Sequence, residues 1–446
     1  MSAWTHSVIW WQVYPFGFVG AEKQALPVDA PVQHRLPQLL PWLDYLVELG
    51  CNGLALNPVF ASQTHGYDVV DHFRIDRRLG DDADIDELIA ACHARGIRVL
   101  FDGVFNHVGR AHLGFADVQQ RRQESDHAGW FDIDWEADGH DGFSYRTFEG
   151  HGGLVALNHD EPAVADYVVD VMAHWLARGI DGWRLDAAYA VPLPFWRAVT
   201  DRVREHFPDA WFVGEVIHGD FPEWVREGGL DSVTQYELWK SIWSSLNDGN
   251  FFELSWTLER HRDFCQEFSP LTFVGNHDVT RIASKLTDPD TLPHALVLLF
   301  TLPGIPSIYY GDEQGFRGVK QDREGGDDEV RPSFPASPDE LSRVGEPIFR
   351  LHRQLIGLRR REAWLSTGRL EVATLTNEQL SYRVAGDDGD AVLVLLNTGA
   401  ESFDFDAEGA TELLGTDDRG DTAEALPDQG PLTVGGHGWA VVRTRE

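Results

Sequence analysis

Two kinds of segment alternate along most of the chain: short apolar runs rich in β-branched residues, and longer stretches with apolar residues at helical spacing. The first kind predicts buried strands and the second predicts amphipathic helices. Eight strands are predicted, at Val8–Val13, Gly53–Asn57, Arg98–Val104, Ile180–Leu185, Trp211–Glu215, Ser232–Tyr236, Leu271–Gly275 and Ser307–Tyr310. Helices are predicted at Leu39–Leu49, Ile85–Arg95, Ala163–Arg178, Pro194–His206 and Leu292–Leu302. Strands that alternate with helices are typical of repeated βα units, and eight of them predict an α/β fold, a TIM (β/α)8 barrel.

Two regions depart from this rhythm. Residues 107–158 are rich in Gly, Asp, His and aromatic residues and are too long for an ordinary connection, which predicts a domain inserted between the third strand and the third helix. After about Trp364 the pattern changes to short alternating strands with Gly-Asp turns, which predicts a small antiparallel β-sandwich. We therefore divide the chain into a barrel of residues 1–106 and 159–364, an inserted domain of residues 107–158 and a C-terminal domain of residues 365–446.

Four of the apolar runs end in carboxylate, imidazole or guanidinium side chains. They are Asp102–His107, Gly182–Asp186, Gly214–Val216 and Phe273–Asp278. A barrel enzyme collects its chemistry at the C-terminal ends of its strands, so these side chains are expected to share one site. The order and content of the segments resemble the four signature regions of the alpha-amylase family of glycoside hydrolases.

Three further motifs extend the resemblance from about residue 50 to residue 313. They are Gly50–Phe60, similar to the second-strand motif of the family; Leu157–Pro162, similar to its motif late in domain B; and Gly304–Glu313, similar to its last barrel strand. Within the family the chain most resembles the cyclomaltodextrinase, neopullulanase and maltogenic amylase group. Barrel residues within the first ten positions leave no space for the extra N-terminal domain of that group, so a homodimer formed through that domain is in doubt. Hydrolases of cyclic tetrasaccharides with alternating α-1,4 and α-1,6 bonds are another candidate relative.

The resemblance assigns catalytic roles to three carboxylates. Cleavage with retention needs one carboxylate to attack the anomeric carbon and one carboxyl to protonate the leaving oxygen, about 5 to 5.5 Å apart. Asp186 is the implied nucleophile and Glu215, after an apolar strand, the implied acid. Arg184 lies two residues before Asp186 and so faces the same side of the strand, where it is expected to keep Asp186 ionised. Asp278 matches the third carboxylate, which binds sugar hydroxyls and stabilises the transition state.

Five other side chains are candidates for binding the substrate. His107, His277 and Tyr67 match family residues of subsite −1; alone, each histidine would be read as a hydrogen-bonded structural residue and the tyrosine as a core residue. Arg331 lies in a loop that loosely matches the one after the last strand, and a surface arginine is the alternative. Tyr189 stands where many starch-degrading relatives carry a lysine of a Lys-His pair, and it is expected to stack on a sugar at +1 or +2.

Sixteen tryptophans raise the question of carbohydrate stacking, but most are expected in the core. Trp42, Trp175 and Trp196 have helical spacing and predict packing. The weaker candidates for the border of a cleft are Trp130, Trp135, Trp239 and Trp243.

Composition narrows the class of partner. The net charge is −35, from 37 basic and 72 acidic side chains, which argues against nucleic acid and anionic membranes, whereas a neutral sugar is unaffected. No apolar run reaches the roughly 18 to 20 residues of a membrane span, and the first residues show no secretory signal pattern. Cys51, Cys92 and Cys265 are scattered, which favours buried thiols and a cytoplasmic location over disulfides or zinc. We predict no cofactor and no metal; Asn106 matches a calcium ligand of secreted amylases, but no acidic partners for it are identifiable by spacing.

These observations predict a retaining α-glucan hydrolase that forms a covalent glycosyl-enzyme and cleaves α-1,4 bonds of short or cyclic maltooligosaccharides. Action on α-1,6 bonds is open. The alternatives are a transglycosylase or isomerase of the same family, of the trehalose-forming or sucrose-splitting kind, and a sugar-binding barrel without catalysis.

Overall fold

Eight parallel strands form a closed ring in the computed structural model, which describes residues 3–27, 29–139, 141–323, 325–417, 422, 426 and 430–445. In chain order they are Trp10–Val13, Gly53–Leu56, Arg98–Gly103, Gly182–Leu185, Trp211–Gly214, Ser232–Val233, Leu271–Phe273 and Ile305–Tyr309. Neighbours in sequence pair in parallel, and the first strand also pairs with the eighth. A parallel bridge between Thr234 and Leu271 joins the sixth strand to the seventh. The predicted barrel is therefore confirmed.

Helices surround the ring. The described helices are Pro15–Phe18, Leu40–Leu49, Asp82–His93, Leu113–Arg121, Pro162–Ala177, Leu193–Arg204, Phe221–Arg226, Tyr236–Asp248, Phe252–Cys265, Ile282–Lys285, Leu292–Thr301 and Glu346–Arg361. The five predicted helices are found with shifts of a few residues at their ends. Tyr236, predicted as the end of the sixth strand, instead begins a helix. None of the described helices is long and apolar enough to cross a membrane.

Tryptophan rings close the N-terminal end of the barrel. The indoles of Trp10 and Trp211 stack with centroids 5.6 Å apart and planes 14° apart. Trp4, in the short helix Ala3–Ser7, packs edge-on against both rings. This end is filled with apolar side chains, so the opposite, C-terminal end is the one with room for a site.

Two excursions border that C-terminal end. After the second barrel strand, Phe60–Ser62 pairs with Val69–Ile75. Between the third strand and the helix that begins at Pro162, two short antiparallel pairs form, His107–Gly109 with Leu154–Ala156 and Ile133–Asp134 with Ser144–Tyr145. This second excursion lies where the inserted domain is predicted.

The C-terminal part is antiparallel, as predicted. A five-stranded sheet contains Arg369–Leu375, Gln379–Ala385, Asp390–Asn397, Ala410–Thr416 and Trp439–Arg445, and a separate ribbon pairs Phe403–Phe405 with Leu432–Val434. Alternation along Asp390–Asn397 explains the layers: Val392, Val394 and Leu396 join the main core, whereas Leu393 and Leu395 join the cluster shared with the ribbon. The exact domain limits given above stay predictions.

Candidate active site

A cavity of about 510 Å³ opens at the C-terminal end of the barrel, and the three predicted catalytic carboxylates all line it. Asp186 directly follows the fourth strand and Glu215 the fifth, while Asp278 lies in the loop after the seventh. Asp186 and Glu215 are buried, and Asp278 is half-buried. The barrel thus brings together residues that are almost a hundred positions apart, as the strand-end pattern predicts.

One guanidinium joins three carboxylates at the base of this cavity. Arg184 Nη1 donates hydrogen bonds to Asp102 Oδ1 at 2.8 Å and to Asp186 Oδ1 at 2.9 Å. Its Nη2 lies 2.7 Å from Glu215 Oε1. Parallel pairing of the third and fourth strands places Arg184 directly beside Asp102. Three carboxylates therefore share one cation.

The pKa of Asp186 shows the effect of this excess of negative charge. Burial raises its pKa well above the ordinary aspartate value, and the charges of Glu215, Asp102 and Asp278 add to this, although Arg184 pulls the other way. The expectation that Arg184 keeps Asp186 ionised by itself is therefore incomplete. Asp186 and Glu215 bind the same guanidinium, so the Glu215 charge acts directly on Asp186.

Glu215 is held by three donors. Besides Arg184, the Ala187 backbone N–H donates to Glu215 Oε2 at 3.0 Å and the Tyr236 hydroxyl donates to Oε1 at 3.2 Å. Ala187 follows the nucleophile with φ +44°, a left-handed conformation unusual for a residue with a Cβ, and it directs this N–H at Glu215. Asn276 Nδ2 in turn donates to the Tyr236 hydroxyl at 2.9 Å. These contacts fix the carboxyl at the edge of the cavity.

Asp278 lies in an ion cluster with His277 and Arg331. Its Oδ2 is 2.9 Å from His277 Nε2, and its Oδ1 accepts from Arg331 Nη2 at 3.0 Å. Burial alone would raise the pKa of Asp278, but the charge and hydrogen bond of His277 and the charge of Arg331 outweigh it, and the pKa lies below its ordinary value. Arg331 also donates to the His277 carbonyl at 3.0 Å. Its side chain is only 10% exposed, so it is not the surface arginine of the alternative reading.

Tyr67 and His277 form one face of the site. Their rings stack with centroids 5.6 Å apart and planes 8° apart, and the Tyr67 hydroxyl contacts His277 Nε2. The same hydroxyl donates to Asp102 Oδ2 at 3.0 Å. Burial raises the pKa of Tyr67 well above its ordinary value, so the hydroxyl stays protonated and can donate.

His107 lines the cavity with a buried imidazole ring. Burial lowers the pKa of its imidazole to about 3, so the ring is neutral near pH 7. It stacks on Phe148 with centroids 4.7 Å apart. Its Nδ1 contacts Asn106 Nδ2 at 3.1 Å.

Tyr189 also lines the cavity and lies in the short turn Ala188–Ala190. It is half-buried, and its hydroxyl donates to Glu149 Oε1 at 2.9 Å. Of the four tryptophans named as cleft candidates, Trp239 lines the cavity, whereas Trp130, Trp135 and Trp243 are not among the residues that line it. Trp42, Trp175 and Trp196 are fully buried, as predicted.

Sequence reasoning assigned no role to several residues that build the site. Asp102 stands in the first acidic segment, where its hydrogen bond to Arg184 could not be read from spacing. Tyr236 was hidden at the end of a predicted strand. The contribution of Glu149 carries no sequence signal, because it comes from a loop of the inserted region.

Comparisons with known proteins agree with this geometry. The family model of the alpha-amylase catalytic domain matches residues 36–367. A maltogenic alpha-amylase of Bacillus acidopullulyticus is 30% identical over 428 residues, which are 90% of this chain and 71% of the relative. A cyclomaltodextrinase of a Bacillus species is 31% identical over 421 residues, 89% of this chain and 73% of the relative.

Among solved structures, the cyclic α-maltosyl-(1→6)-maltose hydrolase of Arthrobacter globiformis superposes with a TM-score of 0.81 at 27% identity, covering 99% of this chain and 100% of that one. The debranching enzyme of Nostoc punctiforme gives a TM-score of 0.81 at 27% identity, covering 99% of each chain. The barrel and its acidic cavity define a glycoside hydrolase. The chain belongs to the alpha-amylase family.

Proposed function

We propose that this enzyme is a retaining hydrolase of α-1,4 bonds in short or cyclic maltooligosaccharides. The observation that carries the proposal is the pair Asp186 and Glu215, which bind opposite nitrogens of one guanidinium inside a cavity that fits a few sugar rings. Two carboxyls that share one guanidinium support the retaining arrangement, in which the carboxyls lie about 5 to 5.5 Å apart. The relatives named for cyclomaltodextrin and cyclic maltosyl-maltose support the substrate class.

The two steps of the reaction follow from this pair. Asp186 attacks the anomeric carbon and forms a covalent ester, while Glu215 gives its proton to the departing glycosidic oxygen. Glu215 then takes a proton from water, whose oxygen attacks the same carbon and releases Asp186. Asp186 and Glu215 together carry one proton at the start and at the end of each cycle. One proton on the pair reduces the repulsion among the three carboxylates that bind Arg184.

Other side chains hold the sugar at the point of cleavage. Asp278 accepts hydrogen bonds from sugar hydroxyls, and Arg331 fixes its carboxylate. His107 contacts the same sugar, and the Tyr67 ring stacks on the sugar face. Charge that develops on the ring in the oxocarbenium-like transition state is stabilised by the nearby carboxylates.

A panel of starch, pullulan, cyclodextrin, maltotriose, panose and sucrose tests the proposal by product chromatography. We expect release of glucose and maltose from maltotriose and cyclodextrin. Transfer products or isomers as the main species would favour the transglycosylase or isomerase alternative. Absence of turnover on every sugar would favour a binding barrel.

Tyr189→Ala is expected to lower kcat/KM on maltotriose and cyclodextrin by about 1 to 3 kcal/mol of transition-state binding, because the aromatic platform is lost. The parent is expected to act weakly on long amylose, since stacking on Tyr189 replaces the hydrogen bonds of a Lys-His pair. Initial rates on each substrate measure both effects, and Tyr189→Phe, which keeps the ring and loses only the hydroxyl bonded to Glu149, separates stacking from that hydrogen bond. Efficient endo-cleavage of amylose, or equal rates for Tyr189→Ala and the parent, would contradict this prediction.

The pH dependence of kcat/KM is expected to be a bell whose acidic limb lies above the ordinary aspartate pKa of about 4. The sign follows from Asp186: its pKa is raised, it must be ionised to attack, and activity is therefore lost as pH falls through this raised value. The alkaline limb reports loss of the proton that the pair must keep. Rates on maltotriose from acid to alkaline pH measure both limbs, and an acidic limb at or below pH 4 would contradict the electrostatics of the cluster.

We also propose a cytoplasmic location. It is supported by the name of the intracellular maltogenic amylase of Bacillus subtilis, which is 29% identical over 392 residues. A homodimer stays a prediction, and light scattering of the purified protein tests it.

A further inference from the structure

We propose that Glu149 binds the hydroxyls of the sugar on the leaving-group side of the cleavage point, and so determines how well the enzyme uses sugars rather than water as acceptors. This inference rests on the proposed function. Glu149 supplies a hydrogen-bond acceptor beside the Tyr189 ring.

The position of Glu149 places its carboxylate at the cavity. It lies in the loop between Ser144–Tyr145 and Leu154–Ala156, and it lines the cavity together with Phe148 and His151. Its side chain is exposed, so solvent and substrate can reach it. An exposed carboxylate at the rim of a sugar-sized cavity can accept hydrogen bonds from hydroxyl groups.

Contacts of Tyr189 show which side of the cleavage point this is. The Tyr189 backbone N–H donates to the carbonyl of Glu215 at 3.3 Å, so its turn rests on the strand end that carries the acid. The acid protonates the leaving oxygen, and the departing sugar must therefore lie near Glu215. Asp278, Arg331 and the Tyr67 ring, which hold the other sugar, are instead grouped around His277.

One oxygen of Glu149 is already oriented. Oε1 accepts the Tyr189 hydroxyl at 2.9 Å, and among the described residues no donor reaches Oε2. The Tyr189 ring can stack on a sugar face while the carboxylate beside it accepts from that sugar's hydroxyl. A hydrogen bond to a charged acceptor is stronger than one between neutral groups.

The backbone conformation at Glu149 indicates that its side chain is held in one orientation. Its φ is +49°, followed by +80° at Gly150. A residue with a Cβ rarely adopts this left-handed region unless its surroundings hold it there. The conformation turns the loop so that the side chain meets Tyr189.

The same sugar position serves both steps of the reaction. In the first step it holds the departing sugar, and in the second it can hold a sugar whose hydroxyl replaces water as the attacking group. Glu149 then favours cleavage of substrates that have a sugar there, and it favours transfer to added sugar. It contributes nothing to a substrate that has no sugar on this side.

Maltotriose and α-maltosyl fluoride separate these cases, because fluoride leaves without occupying the sugar position. Glu149→Ala is expected to lower kcat/KM on maltotriose by about 10- to 100-fold, as for loss of a hydrogen bond to a charged group, and to leave α-maltosyl fluoride unchanged within about 2-fold. Glu149→Gln keeps the size and one acceptor oxygen, so an intermediate loss is expected. Added glucose should yield fewer transfer products with both variants. Glu136→Gln, an exposed glutamate of the same inserted region, is the matched control.

The two substrates distinguish the role of Glu149 from the activity of the enzyme. Equal losses on maltotriose and the fluoride would assign Glu149 a structural role and overturn the inference, as would no loss on either. If the parent turned over neither substrate, the proposed function itself would fail.

Discussion

Asp186→Asn and Glu215→Gln are each expected to lower kcat on maltotriose by several orders of magnitude in a protein that stays folded, because each removes one half of the two-step reaction. Both replacements keep the size of the side chain and keep an oxygen that accepts from Arg184. Sugar binding should therefore survive, and isothermal titration with maltotriose measures it.

The two variants should differ on α-maltosyl fluoride. Fluoride leaves with little need for protonation, so Glu215→Gln should still form the ester on Asp186 and should accumulate it, because no base then activates water. Intact-protein mass spectrometry detects this adduct. Asp186→Asn cannot form the same ester and should show no adduct. Near-parental kcat on maltotriose for either variant, with Glu136→Gln as the unaffected control, would mean that the assignment of these two carboxylates is wrong.

The barrel could be predicted from the chain because each buried strand leaves a strong local signal. Strands buried on both faces, such as Trp211–Gly214, are continuous apolar runs, and glycine marks the ends of several helices. Boundaries were less certain because a strand and the turn after it can share apolar character. Tyr236 illustrates this: its ring is buried as a strand residue's would be, yet it begins a helix and donates to Glu215.

The carboxylates of the site were predictable, but their electrostatics were not. Spacing along one strand put Arg184 and Asp186 on the same face, which the hydrogen bond at 2.9 Å matches. The charge of Asp102 comes from a neighbouring strand, and its register opposite Arg184 is a property of the folded sheet. Such contacts between neighbouring strands determine which carboxylates bind the Arg184 guanidinium. Likewise, the pairing of Glu149 with Tyr189 depends on where a loop of the inserted region comes to lie.

Arg184→Met is expected to destabilise the protein by about 3 to 5 kcal/mol near neutral pH, because it leaves buried carboxylates without their cation. Methionine fills a similar volume, so the loss of charge rather than a cavity dominates the effect. Activity on maltotriose should also fall by orders of magnitude, since Asp186 and Glu215 lose their common donor. Arg184→Lys keeps one charge but lacks the planar fork that reaches three carboxylates, and it should lie between the parent and Arg184→Met.

The pH dependence of this loss distinguishes charge from packing. In Arg184→Met the carboxylates of the cluster bind protons more tightly in the folded than in the unfolded state, so their folded pKa values exceed the unfolded value of about 4. The destabilisation that these carboxylates cause is absent below a pH of about 4, where they are protonated in both states. It grows as the pH rises toward and through their folded pKa values. The difference in unfolding free energy between the parent and Arg184→Met should therefore be smaller at pH 5 than at pH 8, as urea denaturation at both pH values measures. In the parent the pKa of Asp186 is raised in the same direction, but the charge of Arg184 limits the size of this increase. A difference that does not change with pH would show that Arg184 acts through packing, and the electrostatic account of the cluster would then be wrong.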